Sequence, residues 1–368
     1  MVDVSFLNRK AISELDRAWA LLRYPLFKRR LLTLLPRSIP SISIETTNIC
    51  NANCIFCAYQ YQTRPRGVMS MDLFRKVIDD YADLGGRVLS LTPTVGDPLV
   101  DFDCLARISY ARSKQIMSIA MYSNMISLER VGATALAISG ITSLTVSVSG
   151  FDENMYKRVY RSQMYKQVYG NIQRFARANA AAGSPVDFRV QMRVDRPLSE
   201  VVKYPDHVAL AALLGKHKID VKLRYDDWSG YITPNQLSGT MKIRKVIPLR
   251  ISPCSELYSG PMVYWDGSVG ACGCRDVNAS ELIIGNVKDS HLGDIWFGGN
   301  IRKLRDEFMT ASIKPICANC KHYNNISHLL SSHNKQYLLS IKPCSYKAPD
   351  GEWPRCERQH ELAQLDGN

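Results

Sequence analysis

Three cysteines fall within eight residues: Cys50-Asn-Ala-Asn-Cys54-Ile-Phe-Cys57. Thiolates are soft ligands, and three together suit an iron–sulfur cluster or zinc. Three protein ligands leave one metal position open, as a catalytic centre requires. The spacing differs from the paired CxxC of common zinc sites, and no fourth Cys or His lies nearby in sequence. A second group comprises Cys254, Cys272, Cys274, Cys317 and Cys320; Cys344 and Cys356 follow in the tail, and Cys104 stands alone. The first ten residues lack a basic start followed by an apolar stretch, so no secretory signal is expected and the location reads as cytoplasmic. In that setting eleven cysteines point to metal ligation rather than disulfides.

Other residue types extend the chemistry. Arg189, Gln191 and Arg193 alternate, so on a strand they share one face, and Lys222 and Arg224 do likewise. Asp226 and Asp227 follow directly; either could take a proton from a substrate hydroxyl. The net charge of +13 favours anionic partners: phosphorylated or nucleotide-linked small molecules, acidic proteins or nucleic acid. No nucleic-acid motif or aromatic stacking array accompanies that charge, so no specific nucleic acid is expected. A charged content of 22% beside 46% hydrophobic residues argues against a disordered chain. No apolar run approaches the ~20 residues that cross a bilayer.

These residues need elements to position them. Candidate strands are 41–46, 87–91, 117–122, 141–148, 188–194 and 220–225, with helices expected at 71–84, 104–114, 133–138, 155–181 and 201–214. Strand and helix alternating in this way predict right-handed βαβ units and a parallel sheet. Six such units are too few for an eight-unit barrel. The first cysteine group follows strand one, at the strand end where α/β active sites collect. Residues 11–24 read as an amphipathic helix with Ile12, Leu15, Trp19 and Leu22 on one face. The basic cluster Lys28-Arg29-Arg30 after it could touch a membrane surface or belong to a docked helix. Further on, 262–265 and 268–271 around Asp266-Gly267 predict a hairpin, and 294–309 a helix.

The motif CxxxCxΦC, with Phe56 as its aromatic, resembles the signature of the radical S-adenosylmethionine (SAM) superfamily, and Glu45-Thr46-Thr47-Asn48 and Asn51 also fit. The resemblance implies an α/β partial (β/α)6 barrel and a [4Fe–4S] cluster on Cys50, Cys54 and Cys57. SAM would bind that cluster, and its reductive cleavage would give a 5′-deoxyadenosyl radical that abstracts a substrate hydrogen atom. Further positions carry over residue by residue. Thr94-Val95-Gly96-Asp97-Pro98 stands where the family has Gly-Gly-Glu-Pro, so Gly96 and Asp97 would meet the SAM amino group. Ser123, Asn124, Ser147 and Ser149 would bond to its ribose or carboxylate, and Arg158 or Arg161 would meet its carboxylate. An electron donor such as flavodoxin or ferredoxin is implied.

The order Cys254, Gly-x4-Cys272, Ile284-Gly-Asn-Val287, Cys317-x2-Cys320 resembles the SPASM/twitch extension of radical SAM enzymes, a small cysteine-rich α+β domain. It implies one auxiliary [4Fe–4S] cluster on Cys254, Cys272, Cys317 and Cys320. Cys274 could replace Cys272, or serve with Cys344 or Cys356 as a hydrogen-atom donor; Cys344 and Cys356 could also join a second auxiliary cluster. The layout is similar to that of a radical SAM dehydrogenase that oxidises an aminocyclitol. The function expected is therefore oxidation or epimerisation of a sugar, aminocyclitol or nucleotide-linked sugar. Two alternatives remain: maturation of a ribosomally made peptide, and a zinc-stabilised nucleic-acid-binding protein. The expected organisation is a helical extension (1–38), the barrel (39–230), a linker (231–253), the auxiliary domain (254–325) and a tail (326–368).

Overall fold

The computed structural model describes residues 4–215, 218–245, 248, 250–273, 275–310, 312–331, 344 and 346. Six parallel strands run in chain order: β1 (Ile42–Ile44), β2 (Val88–Ser90), β3 (Ser118–Ser123), β4 (Ser143–Ser149), β5 (Asp187–Arg193) and β6 (Ile219–Lys222). Alternation explains their faces. Leu144, Val146 and Val148 of β4 are fully buried towards the helices, as are Val190 and Met192 of β5. Ser147, Ser149, Gln191 and Arg193 therefore point to the barrel interior, in register as Ser147↔Gln191 and Ser149↔Arg193. Helix Met71–Asp83 shows the complementary period: Ser70 caps it, and Phe74, Val77, Ile78 and Tyr81 form its buried face. The strand expected at 220–225 is interrupted. β6 stops at Lys222, and β7 (Arg224–Tyr225) pairs instead with β8 (Lys242–Ile243), inside the stretch read as a linker.

Three expected helices each break in two. The stretch 155–181 becomes Glu153–Tyr160 and Tyr165–Ala181, divided at Arg161, which adopts the left-handed region at φ 51°. The stretch 201–214 divides before Pro205, which cannot donate a helical hydrogen bond. The stretch 294–309 divides at Gly298 into Leu292–Phe297 and Gly299–Met309.

The auxiliary module continues the barrel sheet. β9 (Met262–Val263) lies parallel to β1, with Ser43↔Met262 and Ile44↔Val263. β10 (Ser268–Gly270) and β11 (Ile283–Asn286) extend it antiparallel, giving the order β11-β10-β9-β1-β2-β3-β4-β5-β6. Gly260 makes the junction possible. It sits at φ 137°, and a Cβ there would lie 1.7 Å from the Ser41 carbonyl oxygen.

The N-terminal helix α1 (Val4–Leu34) is longer than expected. It packs Ala20, Tyr24 and Leu31 inward, against the turn Ile326–Leu330 among others. Of the apolar face read from the sequence, Leu15, Trp19 and Leu22 are 60–71% exposed, and the Ile12 side chain lies outside those described. Cys104 is buried in the core. Cys344 lies at the N-terminal ends of the barrel strands, its N–H on the Arg37 carbonyl (2.7 Å) and its Sγ on that of Leu84 (3.4 Å). That end is opposite the rim carrying the first cysteine group, which removes Cys344 from a second cluster and from hydrogen-atom donation. Cys356 and Cys274 lie outside the described residues.

Candidate active site

The loop after β1 is folded by the residues that precede its cysteines. Glu45 takes Arg64 in a bidentate pair (2.7 and 3.0 Å), with the two side chains 0% and 8% exposed. Thr47 donates to the Gly67 carbonyl (2.8 Å); Asn48 donates to that of Pro65 (2.8 Å) and accepts from the Gly67 N–H (2.9 Å). The other side of the loop is held by a helix end. The carbonyls of Val159 and Tyr160 accept from Ile55 and Asn53 (3.0 and 3.4 Å). The break at Arg161 therefore serves the site, because it frees those terminal carbonyls for the cysteine loop.

Cys54 is buried, and Cys50 and Cys57 are half-buried. Burial pushes all three thiols up, Cys50 to about 12 with the nearby Asp97 adding to the effect. The positive charge of Arg193 opposes this at Cys54 and Cys57. Asn124 Nδ2 lies 3.6 Å from Cys50 Sγ and 2.8 Å from Asn51 Oδ1, and the Tyr59 N–H lies 3.4 Å from Cys57 Sγ. Ligation by iron would replace the three protons that burial retains.

The carried-over SAM positions mostly bond to the protein. Gly96 sits at φ 135°, where a Cβ would lie 2.7 Å from the Thr47 carbonyl. Asp97 accepts from Leu99 N, Ser123 Oγ and Asn124 N (3.0, 3.0 and 2.6 Å), and burial pushes its carboxyl up to about 6. Asp97, Ser123 and Asn124 thus form one buried network that sets the cysteine loop. Ser147 Oγ meets Tyr160 Oη at 2.7 Å, while the fully buried Ser149 Oγ has no partner among the described residues. Arg158 is taken by Asp195 (2.9 and 3.2 Å) and Arg161 by Gln60 (3.0 Å). The arginine beside the cysteines is Arg193, whose guanidinium lies 5.0 Å from the centre of the Phe56 ring. The Phe56 carbonyl accepts from Trp228 Nε1 at 3.0 Å.

Cys254, Cys272, Cys317 and Cys320 line one cavity. Arg250 Nη2 binds the carbonyls of Cys317, Ala318 and Cys320 (3.1, 2.6 and 3.2 Å) and so shapes the CxxC turn. Burial pushes Cys254 far up and Cys317 to about 12. A single zinc needs its ligands around one point at about 2.3 Å. Among the described residues no three His, Cys, Asp or Glu are so placed. Four cysteines lining one cavity supply the set of soft ligands that a closed cluster takes.

Between the two cysteine groups lie ionic residues that sequence reasoning only partly anticipated. Asp226 is 2.5 Å from Arg275 Nε and 3.4 Å from His322 Nε2, and Asp227 pairs with Lys321. Arg275 also covers the Trp228 ring at 4.7 Å. Burial and the neighbouring Arg275 push His322 down to about 4. Lys222, beside Arg193 in register, is pushed down by burial and by the charges of Arg193 and Arg244. Arg275 and His322 flank the cysteines directly in sequence, and that proximity was their only local signal.

Residues 44–185 match the family model of the radical SAM superfamily, and residues 254–321 that of the SPASM iron–sulfur cluster-binding domain. A probable GTP 3′,8-cyclase of Methanococcus maripaludis is 30% identical over 33% of this chain and 41% of its own length. Another from Methanococcus vannielii is 26% identical over 57% of this chain and 69% of its own. The match thus spans about two fifths of the first relative. Two solved structures share the fold. BtrN in complex with AdoMet and 2-DOIA superposes with a TM-score of 0.50 at 16% identity, covering 77% of this chain and 93% of BtrN. Streptococcus suis SuiB bound to precursor peptide SuiA gives 0.54 at 14% identity, covering 77% of this chain and 71% of SuiB. The cofactors are accordingly SAM, a SAM-binding [4Fe–4S] cluster and an auxiliary [4Fe–4S] cluster. Cysteine loop, open barrel and sulfur-lined cavity together with these matches show that the chain belongs to the radical SAM superfamily and carries a C-terminal SPASM-type domain.

Proposed function

We propose that this enzyme acts on a small polar substrate carrying an anionic group, of the sugar, aminocyclitol or nucleotide-linked sugar class, and oxidises or epimerises it. Cys50, Cys54 and Cys57 would hold the cluster that binds SAM, and the bound pair would supply one-electron reduction and a radical able to take a substrate hydrogen atom. The chain's own residues bind and orient. The observation that carries the reading is the pair Arg193 and Lys222 on the barrel interior. Neither has a carboxylate within ion-pair distance among the described residues, and Arg244 acts on Lys222 from the adjoining segment. Crowded cations of this kind repel one another until an anion arrives. The names of the GTP cyclase relatives fit a phosphorylated substrate.

Asp226 and Asp227 are the proton acceptors we assign to an oxidation. Both are ion-paired, Asp226 with Arg275 and Asp227 with Lys321. A substrate anion competing for Arg275 would free the Asp226 carboxylate to meet the substrate hydroxyl.

The test uses anaerobically reconstituted enzyme with SAM and dithionite. Substrates are a nucleotide, a nucleotide sugar and an uncharged aminocyclitol. Substrate-dependent 5′-deoxyadenosine should form with a phosphorylated compound, and Lys222→Met should raise its KM about tenfold, the loss of one charge-assisted contact. Turnover of the uncharged compound alone, with Lys222→Met indistinguishable from the parent, overturns the reading. The ratio of SAM consumed to product, with the product's oxidation level, separates oxidation from epimerisation.

A further inference from the structure

We infer that α1 is a docking surface for an anionic phospholipid bilayer. The helix has two apolar faces, and the barrel uses one. Ala20, Tyr24 and Leu31 point inward. On the opposite side Leu15, Trp19, Leu22 and Leu26 are 71%, 60%, 71% and 81% exposed. At 100° per residue these four fall within a strip about 60° wide and about 17 Å long. No described element covers this strip.

Charge decides what covers it. From residue 15, where the strip begins, to 37 the chain carries six basic residues and one acidic one, Asp16. Helical geometry puts Arg23 on one border of the strip and Arg29 on the other, while Arg30 has its Nη2 buried and Lys28 falls on the side away from the strip. Lys28 and Arg29 are exposed, and Arg23 is half-buried with its guanidinium 5.1 Å from the Phe27 ring centre. A second copy of α1 laid against this strip would bring two basic rows together. An anionic bilayer instead takes the leucines and tryptophan below its headgroups and the arginines among its phosphates. The helix is pinned to the protein by its other face, so it would lie in the interface, and no helix of the described residues is long and apolar enough to cross.

The experiment is flotation of the full-length holoenzyme with vesicles of phosphatidylcholine, alone or with about one third phosphatidylglycerol. Binding is expected only to the anionic vesicles and should fall at least tenfold at high salt, where charges are screened. Trp19→Glu combined with Leu22→Glu should reduce binding at least tenfold. SAM cleavage should be unchanged, because α1 contributes no residue to the site; this also shows that the variant folds. Arg23→Gln with Arg29→Gln should weaken binding severalfold through the electrostatic part alone. Absence of binding to anionic vesicles overturns the inference. So does binding that the Glu variant leaves intact. A dimer by light scattering that the same Glu variant dissolves, without vesicle binding, would assign the strip to a second copy and equally overturn it.

Discussion

Breaking the Glu45–Arg64 pair should loosen the cysteine loop and cost most of the stability held there. Arg64 binds Glu45 through two bonds of 2.7 and 3.0 Å, and the side chains are 8% and 0% exposed. It also donates to the Val277 carbonyl (2.9 Å) and lies 4.7 Å from the Tyr264 ring centre, so it joins the loop to the auxiliary domain. Removing one partner of a buried pair costs about 3–5 kcal/mol, because the other charge stays buried. Glu45→Gln should fall near about 3 kcal/mol, since Arg64 keeps its carbonyl and ring and gains an amide oxygen. Arg64→Met should cost more, about 4–5 kcal/mol at neutral pH, because a carboxylate is then left alone. The double variant should cost less than the sum by at least ~1 kcal/mol.

The pH dependence follows from the sign of the shift. Burial raises the Glu45 carboxyl above its ordinary value, and Arg64 opposes this. The folded chain therefore holds that proton more readily than the unfolded chain, and stability from this group falls as pH rises through the carboxylate range. Without Arg64 the opposition is gone. The Arg64→Met deficit should be largest at neutral pH and shrink as Glu45 protonates on acidification. Urea unfolding of the iron-free chains at several pH values measures all of this, and iron retention reports the loop. Additive single effects, or a Glu45→Gln cost under about 0.5 kcal/mol, would refute the pairing argument.

Other expectations follow from single residues. Cys54→Ala should abolish SAM cleavage while leaving the fold intact by circular dichroism; retained cleavage would sink the ligand assignment. Cys317→Ala should lose the auxiliary cluster, read as a fall in iron per chain, and keep some SAM cleavage; unchanged iron would refute the cavity as its site. Gly260→Ala should destabilise by at least ~3 kcal/mol in urea unfolding, since its Cβ would overlap the Ser41 carbonyl where β9 joins β1.

Much of the site was legible in the sequence because ligand spacing is local. Cys50, Cys54 and Cys57 sit in one turn-rich loop, so their identity and order suffice to name the chemistry. The same holds for the six βα units, whose strands carry a period of two and two of whose helices carry side-chain caps, Ser70 and Asp152. The Glu45-Thr-Thr-Asn48 run was legible as a motif, but its purpose, tying down residues 64–67, appears only when the loop closes.

Tertiary structure decided what depends on distance across the chain. It gave Arg158 to Asp195 and Arg161 to Gln60, the two arginines expected at the SAM carboxylate, and it left Arg193 beside the cysteines. Residues 97, 123 and 124 became a buried network because their hydrogen bonds had no water to satisfy them. The auxiliary hairpin joined β1 because that edge of the sheet was open. Which face of α1 packs was likewise beyond periodicity. A helix with two apolar strips presents the same pattern whichever one the barrel buries, and only the shape of the core beneath it makes the choice.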